Sequence, residues 1–133
     1  MKVADLMKTD LAVVNEDISL KDAIIQLADA RVRGVPVVDR RGRLVGVLSA
    51  SDVVQATAEQ SSTGERGEVF EEMPVRDLMS TPPQTIGPDE DVRRAAQQML
   101  TLDVHRLFVV STDELLGVIS QSDLVRAVAK GSL

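Results

Sequence analysis

The amino-acid sequence repeats itself. VADLM at 3–7 returns as VRDLM at 75–79, and VGVLSASDVV at 45–54 returns as LGVISQSDLV at 116–125. The first pair is offset by 72 positions and the second by 71, so the second copy lacks one residue in a turn. Aligned on these anchors, the copies share about twenty identities over roughly 55 pairs, which marks a duplication. Whatever fold this chain adopts must build one unit twice. Two copies of a unit need the same core, and that accounts for Ala23/Ala95, Val37/Val109 and Gly46/Gly117. It does not account for Ser49, Ser51 and Asp52 returning as Ser120, Ser122 and Asp123, because polar triplets are not core.

The 133 residues divide into a first repeat at 1–58, a linker at 59–73 and a second repeat at 74–133. The linker, EQSSTGERGEVFEEM, is dominated by Ser, Gly and Glu. It reads as solvated chain with an apolar foothold at Val69, Phe70 and Met73.

Each copy predicts the same elements. A short strand (Ala12 to Val14; Thr85 to Ile86) precedes a helix. The helix stripe is Leu20, Ala23, Ile24, Leu27 and Ala28 in copy one, and Val92, Ala95, Ala96, Met99 and Leu100 in copy two. Ser19 and Asp91 stand where N-caps belong, and Asp22 approximates a capping box with Ser19. Two apolar runs then predict hairpins: VPVV at 35–38 with LVGVL at 44–48, and LFVV at 107–110 with LLGVI at 115–119. Gly46 and Gly117 inside strands predict close approach of another backbone or a ligand. A second helix is expected to start at Ser51 or Asp52, and at Ser122 or Asp123. Its apolar positions are Val53, Val54 and Ala56, and Leu124, Val125 and Val128.

The fold class is therefore α/β (α+β), with a β-α-β-β-α unit made twice. Helices on one side leave the other face of each sheet bare, so the two repeats are expected to pack through their sheets with pseudo-twofold symmetry.

Composition narrows the chemistry. There is no cysteine and one histidine, His105, so disulfides, thiol catalysis, Cys-ligated metal and multi-histidine metal sites are excluded within one chain. No nucleophile–base pair, P-loop or nucleophile elbow occurs, so no catalytic and no metal residues are assigned. A net charge of −6 and an aromatic content of 2% argue against nucleic acid as a partner. No apolar run reaches membrane-spanning length, and MKVADLMKTD carries no secretory pattern, which points to the cytoplasm.

One arrangement recurs that suits a ligand: a strand, then Ser-x-Ser-Asp, then a helix. It is Ser49, Ser51 and Asp52 in copy one and Ser120, Ser122 and Asp123 in copy two. Helix N-termini offer free N–H groups, and an ionised aspartate accepts from a diol. The competing reading is that Ser51 and Asp52 only cap the helix. Of the arginines Arg31, Arg33, Arg40, Arg41 and Arg43, the last three read as a solvated turn. Arg106 is the better phosphate candidate, and His105 reads as a surface or packing residue.

These residues resemble the cystathionine β-synthase (CBS) domain family, as a tandem pair or Bateman module standing alone. The resemblance covers about 3–58 and 75–130 and rests on DLM followed by Thr, VPVVD at 35–39, and the GVLSASDVV and GVISQSDLV segments. It implies a regulatory module that is not an enzyme and needs no cofactor. It implies clefts between the repeats that bind AMP, ADP, ATP, S-adenosylmethionine or NAD-type ligands. The resemblance makes Asp52 and Asp123 the ribose acceptors, with Ser49 and Ser120 near ribose and phosphate. It assigns adenine to the strand at Val35, Pro36 and Val37, and to Leu107, Phe108 and Val109. Phe108 departs from the family's usual proline. The resemblance also implies a homodimer formed through helices and signalling to a separate, unknown protein target. The alternative is a dimeric interaction module with no physiological ligand.

Overall fold

The computed structural model describes residues 1–30, 33–59 and 72–133, so Arg31 and most of the expected linker lie outside the described residues. In chain order the first elements are α1 (Val3–Leu6), β1 (Val14–Asn15), α2 (Leu20–Ala30), β2 (Gly34–Val38), β3 (Leu44–Ser49) and α3 (Ala50–Glu59). A 3-10 turn at Val75–Asp77 leads to β4 (Thr85–Ile86), α4 (Val92–Leu102), β5 (Arg106–Ser111), β6 (Glu114–Ser120) and α5 (Gln121–Ala129). No helix among the described residues is long and apolar enough to cross a membrane.

Each copy builds a three-stranded sheet, β1-β2-β3 or β4-β5-β6. The crossover pairs β1 with β2 and β4 with β5 in parallel, and each hairpin is antiparallel, as the pattern requires. The missing residue falls in the second hairpin turn. There Thr112 and Asp113 take positive φ, 51° and 67°, the backbone of a tight two-residue connection. The first hairpin turns instead through 39–43, where Asp39 accepts from the N–H groups of Arg41 (2.8 Å) and Arg43 (3.0 Å).

The compact units are not cut where the repeats are cut. One unit is Ala12–Pro83; the other joins Met1–Leu11 to Gln84–Leu133. They are called here the Asp52 unit and the Asp123 unit. The leading segment of each copy thus packs on the sheet of the other copy. Val3 is fully buried in a core with Val92, Met99, Leu107 and Ile119. Val75 is fully buried with Leu20, Leu27, Val35 and Leu48. Backbone bonds fix the exchange. Lys8 and Val118 bond each other through both N–H groups at 2.9 Å, and Ser80 and Val47 do the same at 2.8 and 3.0 Å.

Three local expectations change. The first strand is Val14–Asn15 rather than Ala12 to Val14, because Glu16 N–H continues the pairing to Val38 O at 2.9 Å. The helix stripes end one position early: Ala28 is exposed and Leu100 is 78% exposed. Eight residues at 3.6 per turn overshoot the core-facing line by about 80°. The second helices start at Ala50 and Gln121, one residue before the expected serine. Ser19 and Asp91 do cap α2 and α4, accepting from Asp22 N–H at 3.2 Å and Arg93 N–H at 2.8 Å.

The strand glycines serve the exchange, and the close approach is by backbone. A Cβ on Gly117 would stand 2.5 Å from Lys8 O. On Gly46 it would meet Met79 Sδ at 2.7 Å and Ser80 O at 3.0 Å. Lys8 is pinned to Val118 through both its N–H and its carbonyl, so that oxygen cannot yield, whereas a thioether swings aside. Gly117→Ala is therefore expected to cost about 1–3 kcal/mol, and Gly46→Ala less. Urea melts of the two variants test the order; an equal or inverted loss would overturn it.

Candidate functional site

In both units the last strand turns into a helix through a serine, and the turn is closed by the aspartate three residues on. Ser120 is extended (φ −123°, ψ 165°), and its Oγ accepts from Asp123 N–H at 3.3 Å. Asp123 Oδ2 accepts in return from Ser120 N–H at 2.8 Å and from Ser120 Oγ at 2.9 Å. Ser49 and Asp52 repeat these bonds at 3.1, 2.9 and 2.9 Å. This is a capping box with aspartate in the third position. The helix entry is also tied back to the sheet. Ala50 N–H donates to Arg33 O at 2.7 Å, and Gln121 N–H to His105 O at 2.9 Å. The cap is thus Ser49 and Ser120, not Ser51 or Asp52. Ser51 and Ser122 lie exposed in the first turn.

The box uses only Oδ2. In the Asp52 unit, Oδ1 accepts from Ser80 Oγ at 2.8 Å. In the Asp123 unit, Oδ1 is bonded by the Arg126 guanidinium, and Lys8 Nζ stands 3.9 Å away. The Asp123 side chain is 4% exposed, and burial of a carboxylate demands such partners. Lys8 and Ser80 are equivalent residues, each following a DLM repeat. Sequence reasoning missed them, along with Arg126. Aligning the copies puts Lys8 against Ser80 and Gln55 against Arg126, but which aspartate they meet depends on the segment exchange.

Along the expected adenine strand, Val35, Val37, Leu107 and Val109 turn their side chains into the cores of their own units. By strand alternation, Pro36 and Phe108 face the other way. Phe108 is buried, 4% exposed. Neither presents a free N–H: proline has none, and Phe108 N–H donates to Gln84 O at 3.0 Å. Arg106 pairs in register with Ser120, beside the Asp123 box; Gly34 occupies the equivalent place opposite Ser49. His105 is exposed.

The arginines of the first hairpin form a separate, shallow concavity of about 410 Å³ with Glu16, Asp17, Asp39 and Arg76. Most of its charges pair with one another. Arg43 Nε holds Asp39 at 2.8 Å, Arg40 stands 3.6 Å from Asp17, and Arg76 also holds Asp17. This fits the solvated-turn reading. The Arg43 and Arg41 backbone N–H groups, helped by the Arg43 guanidinium, hold the Asp39 carboxyl below its ordinary value of 3.8. A lowered carboxyl stabilises the fold above the unfolded value and stops doing so as pH falls through the folded one. Asp39→Asn is therefore expected to lower Tm at neutral pH, with a difference from the parent that shrinks in acid below 3.8. A difference constant with pH would contradict this.

Comparison with known proteins places this geometry. The sequence model of the CBS domain matches residues 3–59 and 75–130. The 5'-AMP-activated protein kinase subunit gamma-3 of Sus scrofa is 34% identical over 120 residues, covering 90% of this chain and 23% of that one. The A-adding tRNA nucleotidyltransferase of Aquifex aeolicus is 26% identical over 128 residues, 96% of this chain and 14% of its own. The chain therefore spans less than a quarter of either relative's length. Among solved structures, CBSX2 in complex with AMP aligns with a TM-score of 0.82 at 28% identity, covering 99% of this chain and 98% of CBSX2. The two repeats read from the sequence are CBS domains, and the chain belongs to the CBS domain family as a tandem pair.

Proposed function

We propose that this chain is a regulatory module that binds an adenosine-containing ligand at the two aspartate boxes and signals to a separate protein. It performs no catalysis of its own and acts in the cytoplasm. The observation that carries this reading is the division of labour within each carboxylate. Oδ2 is committed to the helix cap, while Oδ1 is held by side chains that can be displaced: Ser80 at Asp52, Lys8 and Arg126 at Asp123. An ionised carboxylate oxygen held at that place suits the vicinal hydroxyls of a ribose. The AMP carried by CBSX2 supports the ligand class. In this reading Ser49 and Ser120 set the carboxylate, while Ser51 and Ser122 lie within reach of the ligand on the first helical turn. Pro36 and Phe108 supply apolar surface to the base. Val35, Val37, Leu107 and Val109 contribute backbone alone, since their side chains belong to the core. Arg106, across from Ser120, is the residue assigned to a phosphate.

Phe108 favours one rival reading for the second site. Its ring is buried, 4% exposed, as it would be in an interaction module whose second site takes no ligand. Titration calorimetry with AMP separates the two readings. Binding is expected at micromolar-class affinity in the intact chain, and Asp52→Asn combined with Asp123→Asn is expected to abolish it while far-UV circular dichroism is retained. Absence of any response to AMP, ADP, ATP, NADH and S-adenosylmethionine would favour the interaction module.

The same module is proposed to form a homodimer through α3 and α5. Val54 and Val125, equivalent residues on these helices, are each 67% exposed. Sedimentation of the parent chain is expected to give a dimer, and Val54→Asp with Val125→Asp a monomer. A monomeric parent would refute the assignment.

A further inference from the structure

The two boxes are alike in backbone and unlike in charge. At Asp52, the outer oxygen Oδ1 is held by a hydroxyl, Ser80 Oγ at 2.8 Å. Gln55, one helical turn on, bonds Glu59 at 3.2 Å and leaves the carboxylate alone. At Asp123, the equivalent positions carry two cations. Arg126 bonds Oδ1 directly, and Lys8 Nζ stands 3.9 Å from it. The backbone bonds from position 8 to Val118 and from position 80 to Val47 hold each of these residues beside its own box.

The cost of opening each carboxylate therefore differs. A diol that takes Oδ1 of Asp52 displaces a neutral hydroxyl, which water satisfies at once. A diol that takes Oδ1 of Asp123 displaces a guanidinium and leaves an ammonium and a guanidinium facing a site whose carboxylate now serves the ligand. A neutral nucleoside offers them nothing in exchange. A nucleoside carrying a 5'-phosphate returns a negative charge to both, through charge-assisted hydrogen bonds. The two side chains can follow it, being long and 61% and 51% exposed.

We propose that the two boxes select different ligands: the Asp123 box takes phosphorylated adenosine compounds, with Lys8 and Arg126 as its specificity-determining residues, and the Asp52 box takes uncharged or cationic ones. The inference rests on the reading of Asp52 and Asp123 as ribose acceptors and adds the ligand's charge to it.

The test is calorimetry of AMP and adenosine on single-box chains. Asp52→Asn leaves the Asp123 box, and Asp123→Asn leaves the Asp52 box. In the Asp52→Asn chain, AMP is expected to bind about tenfold or more tightly than adenosine, the worth of one added charge-assisted bond. Its affinity is expected to fall as KCl is raised. In the Asp123→Asn chain, adenosine is expected to bind at least as well as AMP. Lys8→Ser with Arg126→Gln, which installs the residues of the other copy and leaves Arg106 in place, is expected to cut the preference for AMP severalfold without weakening adenosine. An equal AMP-to-adenosine ratio at both boxes, or a ratio untouched by Lys8→Ser with Arg126→Gln, would overturn the charge assignment while the ribose-acceptor reading stands. No binding of either compound to the parent chain would overturn both.

Discussion

The structure depends on a pair of backbone ladders between each copy's leading segment and the other copy's last strand. Lys8 pairs with Val118, and Ser80 with Val47. Each ladder runs directly over a strand glycine, which admits the crossing segment by lacking a side chain. Without that approach, Val3 and Val75 would not reach the cores in which they are fully buried. The same ladders decide what stands next to each aspartate. Lys8 meets Asp123 and Ser80 meets Asp52 because the chain crosses there, so packing and site chemistry are set by one constraint.

Duplication supplies the scaffold, and divergence at a few positions supplies the difference. The box itself is retained in both copies down to the same three hydrogen bonds. Loss of Ser49 or Ser120 would remove a helix cap worth about 1 kcal/mol, so stability alone gives reason to keep the serine. Nothing in the cap constrains position 8 or 80, nor 55 or 126. The side chains of Lys8, Ser80 and Arg126 meet Oδ1 while Gln55 turns to Glu59, and there the two copies differ in charge.

Much of this was legible in the sequence, for reasons that are local. Hairpins showed as paired β-branched runs, the crossover as a strand–helix–strand order, and the caps of α2 and α4 as Ser19 and Asp91 before apolar stripes. The aspartates stand out because a polar triplet repeats where core cannot explain it. What escaped was non-local. VADLM and VRDLM are short, and either sheet offers them the same partners, so their pattern does not say which copy they cover. The glycines announced a close approach without naming the visitor, Met7–Lys8 or Met79–Ser80. Ala28 and Leu100 were misplaced because an eight-residue spacing drifts off the stripe. Arg126 was hidden because a cation in an amphipathic helix looks like ordinary surface.

Cap and ligand site present themselves in sequence as rival readings of the same aspartate, and the geometry is compatible with both at once. A carboxylate has two oxygens with about four acceptor directions between them. The box needs one oxygen, Oδ2, and in accepting from a backbone N–H and a hydroxyl it fixes the rotamer of the whole group. The cap therefore holds the other oxygen in place. A side chain that would otherwise lose rotamer freedom on binding has already lost it on folding. The helix start and the proposed acceptor are thus one device. On this proposal the cap and the acceptor depend on the same three bonds, which link Ser and Asp in both copies.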